Sequence, residues 1–230
     1  MTALSNRRLF AAFLSAFLGW TGVVEGRIAV PGGPESAQSK AQPPQTKAVQ
    51  APPLQPSLEP APGNPVVVMS TSLGDITLEL FKDKAPVSVE NFLRYANDGF
   101  YNDTVFHRVR KGFMIQGGGF TATLVEKPTR PPILNEATNG LNNVRGTIAM
   151  ARRQALRSAT AQFYINVVDN RALDHTGFSP DEFGYAVFGR VLSGMEVADR
   201  ISAVPTTTKG DGMDDVPIEP VVIKGVRVVK

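Results

Sequence analysis

The chain has 230 residues, 42% of them hydrophobic and 20% charged, a make-up that suits a soluble globular protein with length to spare for one substantial core. It has no cysteine, which excludes disulfides, zinc–thiolate centres and thiol nucleophiles and leaves nothing to misoxidise in an oxidising compartment. The formal charge of +3 is uneven: residues 1–64 hold five of the 24 Lys/Arg and three of the 21 Asp/Glu, so nineteen basic residues face eighteen acidic ones downstream, a balance that offers no field to recruit nucleic acid.

Residues 1–26 read as a signal peptide or an N-terminal membrane anchor. Arg7 and Arg8 precede a charge-free apolar run from Leu9 to Val24, and its ~16 residues fit a secretory h-region better than a full span of about 20. Val24-Glu25-Gly26 is a poor cleavage site, which keeps the anchor open, and Arg7-Arg8-Leu9-Phe10 partly matches a twin-arginine signal. Residues 27–65 form a Pro/Ala/Gln-rich linker. Ten of the 18 prolines lie between Pro31 and Pro65; proline has no N–H to give a helix or sheet, and with little bulk to bury the segment is expected to stay extended and disordered. Pro52-Pro53-Leu54-Gln55-Pro56 is read as spacer rather than as a ligand motif. A spacer suits a domain held off a surface, which favours a membrane tether.

Residues 66–230 carry the domain. Val66-Val67-Val68-Met69, a turn at Ser72-Leu73-Gly74-Asp75, and alternating Ile76, Leu78 and Leu80 predict a hairpin. Pro86 then opens an amphipathic helix through Val89, Phe92, Leu93 and Ala96, stopped by Gly99. Strands are predicted at Val105–Arg108, Phe113–Gln116, Thr147–Met150, Phe163–Asn166 and Val187–Val191, with a second helix from Gly194 to Ala203 and final strands at Val221–Ile223 and Val226–Val229. Many short strands and two separated helices predict a mainly antiparallel barrel or sandwich, and the strands do not alternate with helices as a Rossmann or TIM fold requires.

The chemistry available is narrow. With two histidines, no cysteine and no Gly-x-Ser-x-Gly, there is no activated nucleophile for a hydrolase. His107 sits beside Arg108 in a strand, so the two side chains are expected on opposite sides, with His107 structural. His175 is read as a loop residue. Gly117-Gly118-Gly119 lacks the Lys-Ser/Thr of a phosphate loop and is read as a tight strand exit. Arg145, Arg152, Arg153 and Arg157 are read as a solvated loop cluster.

Seven ordered motifs remain: Asn91-Phe92, Phe106-His107-Arg108-Val109, Gly112-Phe113-Met114-Ile115-Gln116-Gly117-Gly118, Gly146-Thr147-Ile148-Ala149-Met150-Ala151, Ala161-Gln162-Phe163-Tyr164-Ile165, Leu173-Asp174 and Phe188-Gly189-Arg190-Val191. Together they make residues 66–230 resemble cyclophilin-type peptidyl-prolyl isomerases, especially the short exported bacterial form. The resemblance implies a closed eight-stranded antiparallel barrel capped by two α-helices, with a substrate groove on its outer face. It implies Arg108 as the catalytic residue, and Phe113, Met114, Gln116, Ala151, Arg152, Gln162, Tyr164, Leu173 and Tyr185 as substrate-binding. It implies no cofactor and Pro-containing polypeptides as partners.

The residue types suit that role, since an always-protonated guanidinium can donate to a proline nitrogen that becomes basic only as the amide twists. Some positions depart from the usual pattern. Ala172 stands where strong cyclosporin binders have Trp, so weak cyclosporin binding is expected. Tyr164 replaces Phe at the pocket floor, and its hydroxyl needs a partner or water and is expected to trim activity. Tyr185 replaces a common His, and Arg152 a common Asn, where a main-chain contact would survive. The expected function is prolyl isomerisation in unfolded or extended envelope proteins by an exported, monomeric enzyme in the periplasm or cell envelope. The alternative is a non-catalytic peptide-binding chaperone module using the same groove.

Overall fold

The computed structural model describes residues 59–210 and 212–229; the signal or anchor segment and all of the linker up to residue 58 lie outside the described residues. Ten strands and two helices follow in the order β1 (Val66–Thr71), β2 (Gly74–Leu80), α1 (Pro86–Asn97), β3 (Thr104–Arg110), β4 (Met114–Thr121), β5 (Thr147–Met150), β6 (Phe163–Asn166), β7 (Val187–Ser193), α2 (Met195–Ser202), β8 (Thr206–Lys209), β9 (Met213–Pro217) and β10 (Val222–Val228). Eight of the strands close an antiparallel barrel in the order β1-β10-β3-β4-β6-β5-β7-β2, while β8 and β9 pair with each other outside it.

Period-two alternation fills the barrel. Val67, Met69, Ile76, Leu78, Phe106, Ile115, Ile148, Phe163, Ile165 and Phe188 all point inward and are fully buried. Helix α1 packs chiefly on β10 and β7, α2 on β2, β4 and β3. The Pro at the first position of α1 leaves fewer N–H groups to cap, and the Glu136 carboxylate accepts from Val87 N at 3.0 Å and Ser88 N at 2.8 Å, a charge where the helix dipole favours it. The stripe predicted for α1 then drives Phe92 into the barrel end, where its ring meets those of Tyr101, Phe163 and Phe188 within 5.1–5.6 Å.

Four sequence expectations change. The predicted strand at Phe113–Gln116 begins one residue later and runs on through Gly117-Gly118-Gly119 to Thr121. The glycines are there because large side chains occupy the space. A Cβ on Gly118, at φ +81°, would come within 2.6 Å of Phe163, and one on Gly119 within 2.5 Å of Gln162. The two strands predicted at the C-terminus are one, β10, with a bulge opposite Ser70 and Thr71. The β8–β9 hairpin was not anticipated, since its exposed Thr206-Thr207-Thr208 carries no apolar alternation. The end of the predicted linker is fastened to the barrel: Ala61 N and the Asn64 amide donate to the buried Glu79 carboxylate at 2.7 and 2.8 Å, and Arg190 Nε donates to it at 2.8 Å.

A second bulge decides the site. Phe106 pairs with Gly117 and Arg108 with Gln116, so two consecutive partners on β4 face residues two apart on β3, and His107 is the extra residue. His107 is buried against the Phe120 ring at 4.6 Å, and its Nδ1 has no hydrogen-bond partner. Burial pushes its pKa down to about 4; the Val105 carbonyl and the Gln162 side chain oppose this without forming a well-aligned bond to Nδ1, and the Arg108 charge adds to it.

The folded-state pKa lies below the ordinary value, so the unfolded chain binds the proton first. Stability present near neutral pH is therefore lost as pH falls from about 6.5 toward about 4, at up to about 1.4 kcal/mol per pH unit. Urea unfolding at about pH 7 and about pH 5 is expected to show a smaller loss for His107→Gln than for the native chain; equal losses would refute this.

Candidate active site

The outer face of the barrel carries one lateral row. Register aligns Arg108 on β3 with Gln116 on β4, Gln116 with Tyr164 on β6, Tyr164 with Ala149 on β5, and Ala149 with Val187 on β7. Because neighbouring strands place directly opposed residues on the same face, these five side chains share the outer surface. Met114 is on the same face two residues before Gln116. Met114, Ala149, Tyr164 and Val187 form a buried apolar cluster separate from the barrel core, and Phe113, Leu141, Ala151, Leu173 and Tyr185 pack around it half-exposed.

The row thus has an apolar end and a polar end. Tyr164 and Tyr185 meet edge to face at 5.8 Å. Gln116 Nε2 donates to Gln162 Oε1 at 3.0 Å, and Gln162 in turn lies across Gly119, so the carboxamide of Gln116 is held beside Arg108. Arg108 keeps 41% of its side chain exposed, and its Nε lies 3.7 Å from Asp215 Oδ2. Such a face has a charged, multi-donor group at one side of an apolar cluster and no nucleophile or carboxylate in the row. It can grip an extended backbone and stabilise charge or lone-pair density that develops on it.

The family model described as cyclophilin type peptidyl-prolyl cis-trans isomerase matches residues 66–228. The chain is 55% identical over 71% of its length to peptidyl-prolyl cis-trans isomerase A of Dickeya dadantii, covering 84% of that protein. It is also 55% identical over 71% of its length to peptidyl-prolyl cis-trans isomerase B of Escherichia coli, covering 99%. The chain belongs to the cyclophilin family. A crystal structure of a Cryptosporidium parvum cyclophilin type isomerase superposes with a TM-score of 0.62 at 26% identity, covering 73% of this chain and 98% of that one.

Of the ten site residues expected in this cyclophilin, Arg108, Phe113, Met114, Gln116, Ala151, Gln162, Tyr164, Leu173 and Tyr185 all belong to the row or to the shell around it. Arg152 behaves differently. Its Nε donates to Gly184 O at 3.0 Å, one terminal nitrogen to Arg153 O and Gln154 O at 3.1 Å each, and the other to Pro180 O at 2.6 Å. Its guanidinium lies 4.8 Å over the Tyr185 ring. The side chain therefore ties two loops together and backs Tyr185, leaving its donors on protein carbonyls. Ala172 lies exposed in the short 3₁₀ turn Arg171–Leu173 at the groove edge.

Sequence reasoning missed Asn143, Asn166 and Asn170, which form a buried polar lattice behind the apolar cluster. Tyr164 Oη donates to Asn143 Oδ1 at 2.6 Å, meeting the need for a partner inside the protein. Asn143 Nδ2 donates to Leu173 O at 3.0 Å, and its N–H to Asp174 Oδ1 at 2.6 Å. Asn170 Nδ2 donates to Asn166 Oδ1 at 2.7 Å and to Phe113 O at 2.9 Å. One network therefore fixes the floor and both walls, Tyr164, Phe113 and Leu173. No pattern marks these asparagines in the sequence, because their partners are distant carbonyls. Burial first, then Tyr185 and Asp174, pushes the Tyr164 phenol well above its ordinary range against the opposing pull of Arg152, so it stays a neutral donor.

Because that hydroxyl is absorbed by Asn143, it is not left to burden a bound proline ring. Tyr164→Phe strips Asn143 Oδ1 down to the 3.3 Å contact from Asn166 and is expected to cost about 1–2 kcal/mol of stability with no gain in isomerase rate. A faster, equally stable variant in paired urea-unfolding and peptide assays would contradict this.

Proposed function

We propose that this peptidyl-prolyl cis-trans isomerase works by aiming Arg108 at the nitrogen of a proline whose ring is seated against Phe113, Met114, Tyr164 and Leu173. Rotation about an X–Pro bond must break amide resonance, against a barrier of roughly 18–20 kcal/mol. In the planar ground state the proline nitrogen lone pair is delocalised and a poor acceptor. In the twisted state it localises, so a donor placed there binds the transition state better than the substrate, which is the condition for acceleration. A guanidinium offers that donor at every working pH. Gln116, steadied by Gln162, is placed to hold the peptide backbone while the residue before proline swings. The observation that carries this reading is the register of Arg108, Gln116 and Tyr164 on one face, with the apolar cluster beside them.

The substrates are Pro-containing polypeptides, and we place them among unfolded or extended proteins of the cell envelope, whose folding the enzyme assists. The basic, apolar leader and the proline-rich linker support that placement. Recovery of the expressed protein with the cytoplasmic fraction of its host would contradict it.

The catalytic assignment is tested by Arg108→Ala. Its guanidinium is part-exposed and distant from the barrel core, so the variant is expected to fold normally while kcat/KM on a Pro-containing peptide falls tenfold or more, a loss of about 1.4 kcal/mol or more of transition-state binding. An unchanged rate in a folded variant would refute the mechanism.

A further inference from the structure

The β8–β9 hairpin, outside the barrel and unanticipated from the sequence, is irregular next to Arg108. Thr207 pairs with Val216 and Lys209 with Met213, so Asp214 and Asp215 together oppose Thr208. This is a bulge, and bulges turn a side chain out of its expected direction. Asp215 there has φ +60°, the left-handed region that a side chain enters at a cost. Asp214 accepts from Thr208 Oγ1 at 2.8 Å and belongs to the hairpin. Asp215 instead faces the barrel, with Oδ2 at 3.7 Å from Arg108 Nε, and it is the only carboxylate paired with Arg108 among the described residues. Val216 and Pro217, which follow it, are buried and share the walls of a small cavity with Val105, Phe106 and His107. The hairpin is thus seated on the strand segment whose bulge turns Arg108 outward.

We propose that Asp215 is a positioning residue that sets the direction of the Arg108 guanidinium. The proposal rests on Arg108 acting on the substrate as described above. An ion pair at the Nε edge leaves both terminal nitrogens, neither of which makes a hydrogen bond to any described residue, free to donate to a substrate. It also limits the swing of a long, part-exposed side chain whose rotamer freedom would otherwise be lost on reaching the transition state. At 3.7 Å the contact is an ion pair rather than a direct hydrogen bond, and with 41% and 31% of the two side chains exposed its contribution to stability is small. Its effect is on orientation. The bulge and the left-handed Asp215 backbone are the local distortions that aim this carboxylate at β3.

The test is a double-mutant cycle in the full chain, read as kcat and KM on a Pro-containing peptide. Asp215→Asn keeps the size and the tolerance for φ +60° and removes the charge. It is expected to lower kcat about three- to tenfold, with KM within about twofold, and to have no further effect in an Arg108→Ala background. Asp215→Gly, which adopts this backbone conformation freely, is expected to show the same loss and separates charge from strain. An undiminished kcat for Asp215→Asn beside a slow Arg108→Ala would overturn the positioning role while leaving Arg108 catalytic. Equal losses in both backgrounds would also overturn it, by showing a structural effect independent of Arg108. A native rate in Arg108→Ala itself would instead overturn the assignment of Arg108, and the proposal with it.

Discussion

One extra residue in β3 decides which way Arg108 faces. Residues two apart in a regular strand share a face, so Phe106 and Arg108 would both enter the barrel or both leave it. Either outcome is costly: an unpaired guanidinium inside an apolar core, or a large aromatic lost from it. The bulge at His107 resolves the conflict by resetting the alternation between them. Phe106 fills the core, Arg108 stands on the outer face, and Val109 returns inward. The misfit residue is itself buried, with a bare ring nitrogen, which is the local cost of that arrangement.

From that constraint the site follows by register. Once Arg108 is outward, pairing with β4, β6, β5 and β7 lays Gln116, Tyr164, Ala149 and Val187 beside it in sequence across the sheet. Strands fix positions better than loops do, and this row is built on strands throughout. What loops contribute is the rim: Leu173, Tyr185 and the Arg152 clasp. The asparagine lattice joins the two, since Asn143 bonds both the Tyr164 hydroxyl and the Leu173 carbonyl. Fully satisfied buried networks of this kind rigidify what they touch, here Tyr164, Phe113 and Leu173.

Much of this was legible in the sequence, for identifiable reasons. Strong period-two runs such as Ile76, Leu78 and Leu80 announce β2, and the Pro86 start with a Val89, Phe92, Ala96 stripe announces α1. The absence of nucleophiles and thiols pointed away from bond-breaking chemistry, and the ordered motifs gave the family and its barrel. The rest was hidden because it depends on partners distant in the chain. A bulge adds a residue without any compositional mark, so the simple alternation that put His107 and Arg108 on opposite sides does not hold between them: His107 packs against Phe120 outside the barrel core, on the side where Arg108 also stands. The β8–β9 hairpin lacks apolar alternation. The roles of Asn143 and Arg152 are defined by carbonyls 30 or so residues away, which no local pattern encodes.

The central claim is that Arg108 acts on the twisted amide and not on the bound ground state. The most direct measurement is nuclear magnetic resonance exchange on a Pro-containing peptide, which yields the dissociation constant and the on-enzyme cis–trans rate from one titration, for the native chain and for Arg108→Gln. The expected result is an affinity within about twofold and an exchange rate at least about tenfold slower, the signature of lost transition-state stabilisation alone. Weakened binding with an unchanged exchange rate would show that Arg108 merely holds the peptide, and would contradict the account.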